Sequence, residues 1–462
     1  MHAKLCFLLP SLGLILAACA PPPPEAVPFL NLAEAQPGQI RVAGFELPAE
    51  ATITIDAVGR ATGSDDRVAA QGWILNRDTR RAVWRMDAKR SVTSFGDLSL
   101  YASHTSLQLA AGHYEVYLAT GDYRGGGLPG LPRLARFVAH LGHDLTPEAA
   151  AASLARCHIE LSAPPPTTPS LYTPAQEMPG TLLALTHIGN HEHREAGFVL
   201  DRPMTLRVYA VFERFPGQRA SADAAWITRL RYRERVWEPG PAGIARGGGA
   251  AKNAVVDTTV ELAAGAYALS FASDDSHAYP DFNADPPDDP SNWGVTLMTT
   301  TESDAAAFHR LELARPEPLL DARRVGDNER RRLAFRLRRD GVLWVKAEGE
   351  FSGGDGYDHG WITAAAGGAP LWSMSQDNTV AGGGAAKNRT FDGLVRLPAG
   401  DYALCYVSDD SHSHAKWNSA APFDPEGWGI ALYPGPDFDP ADFQILAEAE
   451  PAPRAQARAE AP

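Results

Sequence analysis

An internal repeat constrains the fold of this chain more strongly than any other feature. Segments 247–294 and 382–429 align at a constant offset of 135 residues without a gap. Both contain the run Gly-Gly-Gly-Ala-Ala-Lys-Asn, a strand-like stretch with Gly-x-Tyr, the tetrad Asp-Asp-Ser-His and a closing Asp-Pro-x-x-Trp-Gly. The chain therefore contains at least two modules of the same fold.

A third, weaker copy lies upstream, at an offset of 153 residues from the second module. Every copy has two tryptophans eleven positions apart: Trp73 and Trp84, Trp226 and Trp237, and Trp361 and Trp372. With 462 residues, the chain is too long for a single core and suits about three domains. We therefore predict module one at 38–125, module two at 181–300 and module three at 318–435.

Each module has the sequence pattern of a β-protein. The runs ATITIDAV, MTLRVYAVF and GVLWVKAEG largely alternate apolar and polar residues, which predicts strands with one buried face. Leu-x-Ala-Gly-x-Tyr recurs before an apolar run, and its Tyr can bond back to the turn. We predict a mainly β protein of three tandem antiparallel β-sandwich or jelly-roll modules. In outline the modules are similar to secreted β-sandwiches of the pre-peptidase C-terminal type, a resemblance that implies no catalytic residue.

The paired tryptophans flank a turn-rich stretch in every module, so we expect them to lie close together across a hairpin. Such residues either pack in a core or stack on a sugar ring. Module one keeps its pair although it loses other features of the repeat. We therefore favour core packing.

The N-terminus has the pattern of an exported lipoprotein. Residues 1–18 contain Lys4, a mostly apolar run and no acidic residue, which is typical of a signal peptide rather than a spanning helix. The following Leu-Ala-Ala-Cys resembles the lipobox of bacterial lipoproteins. This resemblance implies that Cys19 carries a lipid anchor, and Ala20 then favours the outer membrane of the cell envelope. The alternative is an ordinary signal with a chance cysteine. Residues 19–37 form a Pro-rich tether.

The remaining segments connect or follow the modules. Residues 126–180 combine helical spacing with a Pro-rich end, which predicts a small helical insert and a linker between modules one and two. Residues 447–462 are rich in Ala, Pro, Glu and Arg and are predicted to be disordered. We interpret Cys157 and Cys405 as small buried residues rather than as a disulfide.

The charge of the chain excludes one class of partner. Its formal net charge is −14, with 56 acidic against 42 basic residues. This argues against binding to nucleic acid and against electrostatic docking on anionic lipid. Multivalent cations are more natural partners.

The strongest candidate site is an acidic segment that modules two and three share and module one lacks. The candidate metal ligands are Asp274, Asp275, Asp289, Asp409, Asp410 and Asp424. Neighbouring carboxylates repel unless a positive charge lies between them, and hard oxygen ligands on a long loop suit Ca²⁺. Alternatively, these side chains cap turns or pair with a lysine, which we favour, and catalysis is the third interpretation.

The same loops supply candidate ligand contacts. They are Lys252, Asn253, His277, Asn283, Trp293, Lys387, Asn388, His412, Asn418 and Trp428. The Gly-Gly-Gly-Ala-Ala-Lys-Asn run differs from a phosphate-binding loop, because Asn replaces Ser or Thr and a strand-like run follows. We expect its lysine to reach the acidic segment.

These features predict a non-catalytic, membrane-tethered lipoprotein that binds a protein or glycan through the loops of modules two and three. One alternative is a metal-dependent hydrolase that uses the acidic and histidine residues of module three. The other is a purely architectural envelope protein. No catalytic residue is assigned, and Ca²⁺ is the only candidate cofactor.

Overall fold

The structure is a computed structural model. It describes residues 25–62, 67–87, 100–121, 152, 154–175, 177–214, 222–313 and 316–446. The predicted signal peptide, the predicted lipid-modified Cys19 and the predicted disordered tail lie outside the described residues, as does most of the predicted helical insert. Within the described ranges the chain is mainly β and its sheets are antiparallel, which confirms the predicted fold class.

The described residues of module one form nine strands. They are β1 (Val27–Leu32), β2 (Ile40–Leu47), β3 (Ala51–Thr62), β4 (Arg67–Asn76), β5 (Arg81–Arg85), β6 (Leu100–Leu109), β7 (Gly112–Thr120), β8 (His158–Ala163) and β9 (Ser170–Tyr172). They form one sheet in the order β1-β8-β3-β4-β7-β2-β9, with β5 paired to β4 and β6 paired to β3.

Ten strands lie in the part of module two that the structure describes. They are β10 (Thr181–Thr186), β11 (His193–Leu200), β12 (Met204–Glu213), β13 (Ala224–Arg229), β14 (Glu234–Trp237), β15 (Ile244–Arg246), β16 (Asn253–Leu262), β17 (Gly265–Ala272), β18 (Gly294–Thr299) and β19 (Phe308–Leu311). Two sheets of five strands have the orders β10-β18-β12-β16-β15 and β14-β13-β17-β11-β19. Short 3-10 helices lie at Pro241–Gly243, Pro290–Asn292 and Glu302–Ala307.

Module three repeats this arrangement. Its strands are β20 (Leu320–Arg323), β21 (Arg330–Leu337), β22 (Gly341–Ser352), β23 (Asp355–Ala364), β24 (Trp372–Ser373), β25 (Val380–Ala381), β26 (Asn388–Leu397), β27 (Gly400–Val407), β28 (Gly429–Pro434) and β29 (Phe443–Ile445). Strands β22 and β23 pair at one end, which joins the two halves into a single ten-stranded sheet. The 3-10 helices are Pro425–Gly427 and Pro440–Asp442.

The structure differs from the predicted module boundaries at module one. Strand β1 comes from the predicted tether, and β8 and β9 come from the predicted insert and linker. Strand β8 lies between β1 and β3, the place that β18 and β28 take in the other modules. The prediction missed it because module one lacks the Asp-Pro-x-x-Trp-Gly segment that precedes β18 and β28.

The core of each module lies where alternation predicts it. Ile53 and Ile55 in module one, and Leu206 and Val208 in module two, are fully buried, because alternate side chains of a strand share one face. The repeated Tyr bonds back to the turn in every module, as predicted. The hydroxyls of Tyr114, Tyr267 and Tyr402 donate to the carbonyls of Ala110, Ala263 and Pro398 at 2.9, 2.9 and 2.7 Å.

Candidate functional site

In module two and again in module three, a buried histidine joins the glycine-rich loop of its own module to the acidic segment. In module two, His277 Nε2 lies 2.6 Å from Asn253 Oδ1, and Asn253 Nδ2 donates to the carbonyls of Gly248 and Asp285 at 2.8 Å. Because the amide nitrogen already donates, Oδ1 accepts and the histidine proton is on Nε2. His412 and Asn388 repeat this bond at 2.6 Å. The same hydrogen-bond network therefore holds the loops in place in both modules.

Burial keeps both imidazoles neutral. Neither His277 nor His412 is exposed. Burial, and then the ammonium of Lys252, lowers the pKa of His277 well below its ordinary value. Burial and Lys387 lower the pKa of His412 to about 4. Since Nε2 of His412 is held by Asn388, this side chain does not suit the hydrolytic role of the alternative hypothesis.

The lysine of each loop reaches the acidic segment, as expected, but its ion pair is with a glutamate that the sequence analysis did not single out. Lys252 Nζ bonds the Asn283 side chain and lies 2.9 Å from Glu213 Oε1. The equivalent Lys387 bonds Asn418 Oδ1 at 2.8 Å and lies 3.0 Å from Glu350 Oε1. Each glutamate lies near the end of a long repeated strand, β12 in module two and β22 in module three, so aligning the module copies could have found it.

Three carboxylates meet beside Lys252. Oxygen atoms of Glu213, Asp223 and Asp274 all lie within 4.8 Å of one another. Burial raises the pKa of Glu213 to about 7 and raises that of Asp223 and Asp274. Module three has Glu350, Asp358 and Asp409 at the equivalent positions, whereas module one has Arg60, Ala70 and Gly121. Modules two and three therefore have all three acidic residues, and module one has none of them.

Most of the predicted metal ligands lie apart from this cluster. Only Asp274 belongs to it. Asp275 and Asp410 are exposed, and Asp409 accepts a bond from the Ser411 amide. Asp289 pairs with Arg80 of module one, and Asp424 pairs with Lys346 of β22. The three carboxylates are fewer oxygen groups than Ca²⁺ usually takes, and Lys252 already supplies a positive charge. Calcium binding stays a prediction, and Asp274 is its one predicted ligand that lies in this cluster of module two.

Most predicted ligand contacts are parts of the framework. Asn253, His277, Trp293, Asn388, His412 and Trp428 are at most 1% exposed. Lys252, Asn283 and Lys387 are half-buried, and Asn418 is exposed. The loops therefore shape the modules, and of the ten predicted ligand contacts only these four side chains are accessible.

Neighbouring modules pack through equivalent sheet faces. Between modules one and two, Trp73 Nε1 donates to the Asp288 carbonyl at 2.8 Å. Arg80 Nε donates to Asp289 Oδ2 at 2.8 Å, and its other nitrogens pair with Asp289 and Glu115. Trp73 is fully buried and stacks on Tyr117 at 5.1 Å. The prediction of core packing therefore holds only in part: Trp73 is buried in a small cluster at the interface with module two, whereas its counterpart Trp361 in module three is half-buried.

The corresponding faces of modules two and three enclose a cleft of about 1320 Å³. Module two contributes β11, β13, β17 and β19, and module three contributes β20, β22, β26 and β28. Small side chains explain why this interface stays open. Ala266 and Ala268 line it, at the positions where module one has His113 and Glu115. In module one, Glu115 holds Arg80, which reaches across the interface to Asp289 of module two. The alanine at the equivalent position of module two is too short to do this.

The charges in the cleft walls are largely paired. The pairs are Arg231 with Asp437 at 2.7 Å, Arg233 with Asp392 at 3.2 Å, Lys346 with Asp424 at 2.6 Å and Arg323 with Asp321 at 2.6 Å. Trp344 stacks on Tyr433 with ring centroids 4.4 Å apart, and the Arg233 guanidinium lies 3.5 Å from the centroid of the Trp344 ring. Both faces of this indole are therefore covered.

A smaller pocket of about 220 Å³ adjoins the cleft. It shares His193, Glu195, Lys346 and Asp424 with the cleft and adds Glu348, which is 2% exposed. Burial raises the pKa of Glu348 to about 8, and Lys346 opposes this only in part. A carboxyl with such a pKa at the wall of a pocket marks a candidate binding site.

Comparison with known proteins gives no further identification. No protein-family model matches the chain. No curated protein matches its sequence. None of the helices within the described ranges has the length and apolar character that a membrane span requires.

Proposed function

We propose that this protein is a non-catalytic binding protein whose cleft between modules two and three holds an extended polypeptide segment. The observation that carries the proposal is the contrast between two equivalent interfaces. Arg80, Glu115 and Tyr117 fill the interface of modules one and two. The next interface has Ala268 and Ser270 in place of Glu115 and Tyr117 and keeps a cleft of about 1320 Å³. Ligand sites often lie at such domain interfaces.

The cleft walls favour a polypeptide over a glycan. Strand β19 is the edge strand of its sheet, and its residues Arg310 and Leu311 line the cleft. An extended segment binds such an edge through backbone hydrogen bonds, while neighbouring pockets select its side chains. A sugar ring needs a free aromatic face, and both faces of Trp344 are covered.

The proposed location is the outer membrane of the cell envelope, with a lipid anchor on Cys19. The apolar run and the Leu-Ala-Ala-Cys motif support it. A tethered position would present the cleft to polypeptides of the envelope, and the acidic surface disfavours nucleic acid.

A random-peptide phage library tests the binding proposal. We expect the purified protein to enrich a shared motif, and a synthetic peptide with that motif to bind with micromolar affinity in calorimetry. Ala266→Tyr narrows the cleft and should weaken binding by about tenfold or more, since it removes room at the floor. Ala49→Tyr is the matched control, because Ala49 is an exposed turn residue of module one.

Two results would overturn the proposal. One is a library that yields no peptide motif, and the other is a selected peptide that binds Ala266→Tyr as tightly as the unchanged protein. A glycan that binds the protein and is lost in Ala266→Tyr would assign the cleft to sugars instead.

A further inference from the structure

One strand position carries valine in two modules and glutamate in the third. The equivalent residues are Val58, Val211 and Glu348. Their structural equivalence is direct for the last two, because Val211 bridges Trp293 and Glu348 bridges the repeated Trp428 in the same parallel sense. The fold therefore accepts valine here, and a buried carboxyl at this position is not a requirement of the sandwich.

Glu348 has a hydrogen bond but no cationic partner. Thr390 Oγ1 donates to Glu348 Oε2 at 2.5 Å. Across the described residues, no ion pair involves Glu348. The nearest ammonium on its own strand, Lys346, lies 2.6 Å from Asp424 Oδ2. Arg233 pairs with Asp392 at 3.2 Å.

The pocket beside Glu348 has one more acidic than basic residue. The lining carboxyls are Glu195, Glu348, Asp392 and Asp424, and the lining cations are Arg233, Arg235 and Lys346. His193 also lines the pocket, 3.6 Å from Glu195. Glu348 is the most buried of the four acids. Asp392 and Asp424 already pair with Arg233 and Lys346, and Glu195 lies near His193. Glu348 is therefore the carboxyl that remains for an incoming positive charge.

The rest of the pocket suits an alkyl chain that ends in a charge. Val380, Phe391 and Phe423 contribute apolar wall. A volume of about 220 Å³ has room for the side chain of a lysine or an arginine. Such side chains bury their methylene groups against apolar surface and place the charge at a polar end.

We propose that this pocket binds a lysine or arginine side chain of the ligand, with the Glu348 carboxylate as its counter-ion. The inference rests on the proposed binding function and names the side chain that the cleft selects. Binding exchanges a proton for the cation: the ligand ammonium pairs with the carboxylate, and the carboxyl proton leaves to solvent. The raised pKa of Glu348, about 8, places that proton on the carboxyl at neutral pH.

A pair of small probes tests the proposal on the intact protein. The probes are N-acetyl-lysine amide and its uncharged analogue, N-acetyl-norleucine amide. In NMR titrations we expect the lysine probe to bind about tenfold more tightly, because only its charge pairs with Glu348. Calorimetry at pH 7 in buffers of different ionisation enthalpy should show release of about 0.9 proton per lysine probe bound.

Two variants and one control connect this preference to Glu348. Glu348→Val reproduces the residue of module two, and Glu348→Gln keeps an acceptor for Thr390. Both should remove the preference for lysine and the proton release. Glu261→Gln changes an exposed carboxyl of β16 that lines neither the pocket nor the cleft and should keep both effects.

The outcomes separate this inference from the proposed function. The inference is wrong if the two probes bind alike, or if the Glu348 variants keep the preference. If peptides from the phage library still bind the cleft in that case, the proposed function stands without it. If neither peptides nor the lysine probe bind, both are wrong.

Discussion

Replacing Glu348 with valine should stabilise module three, and the gain should depend on pH. The pKa of this carboxyl rises from an ordinary 4.5 to about 8 in the folded chain. Between these values the folded state holds a proton that the unfolded state releases, so stability falls as pH rises through this window. Each pKa unit corresponds to about 1.4 kcal/mol, which gives a cost of about 3 kcal/mol at pH 7 and about 1 kcal/mol at pH 5. Valine removes this cost.

Hydrogen exchange followed by mass spectrometry measures the effect in the intact chain. The slowest amides of β22 and β26 report the opening of module three, and those of β12 and β16 report module two as an internal control. Comparing the variant with the unchanged protein at each pH cancels the intrinsic exchange rate. We expect a gain of about 3 kcal/mol at pH 7 that shrinks towards pH 5. The reasoning is refuted if valine destabilises β22 at pH 7 or gives the same gain at both pH values.

Three further predictions concern the buried networks. Lys252→Met removes the ammonium beside the buried Glu213. Because the pKa of Glu213 is about 7, this carboxyl is already half protonated at pH 7, so module two should lose about 1 kcal/mol or less there and still less at pH 5, in the same exchange measurement. A larger loss at pH 5 than at pH 7 would contradict it. Arg80→Ala removes the cation between Glu115 and Asp289 at the first interface and should lower the free energy of unfolding by about 3 kcal/mol in denaturant. Arg233→Ala, at the open interface, should lower it by about 1 kcal/mol or less. A larger loss for Arg233→Ala than for Arg80→Ala would contradict the difference between the two interfaces. For His412, nitrogen NMR should show a neutral ring with the proton on Nε2 down to about pH 4, and a protonation midpoint near 6.5 would exclude the buried bond to Asn388.

The sequence predicts the repeated part of the fold well, because alternation and turn chemistry are local properties. Ile53, Ile55 and the tyrosines of the Gly-x-Tyr turns lie where the pattern places them. Strand β8 was missed because the residues that join it to the rest of module one have no counterpart in the other copies. A repeat identifies only what is repeated.

The candidate site was predicted only in part, because its members come from distant positions in the chain. Asp274 was singled out, but Asp223 approaches it through the pairing of β13 with β17, and Glu213 comes from the end of β12 in the other sheet. Aligning modules two and three places Glu348 at the position of Val211, so this exchange of an apolar for an acidic residue is visible in the sequence. The cleft depends on the contact between two modules, which local patterns do not encode.

The most direct test of the central claim is the hydrogen-exchange footprint of a library-selected peptide on the intact protein. The account predicts slower exchange at β19 and at the cleft-facing ends of β11 and β22, with module one unchanged. Protection confined to the loops around Asp275 and Asp410, with no change at β19, would contradict it and place binding on the loops instead.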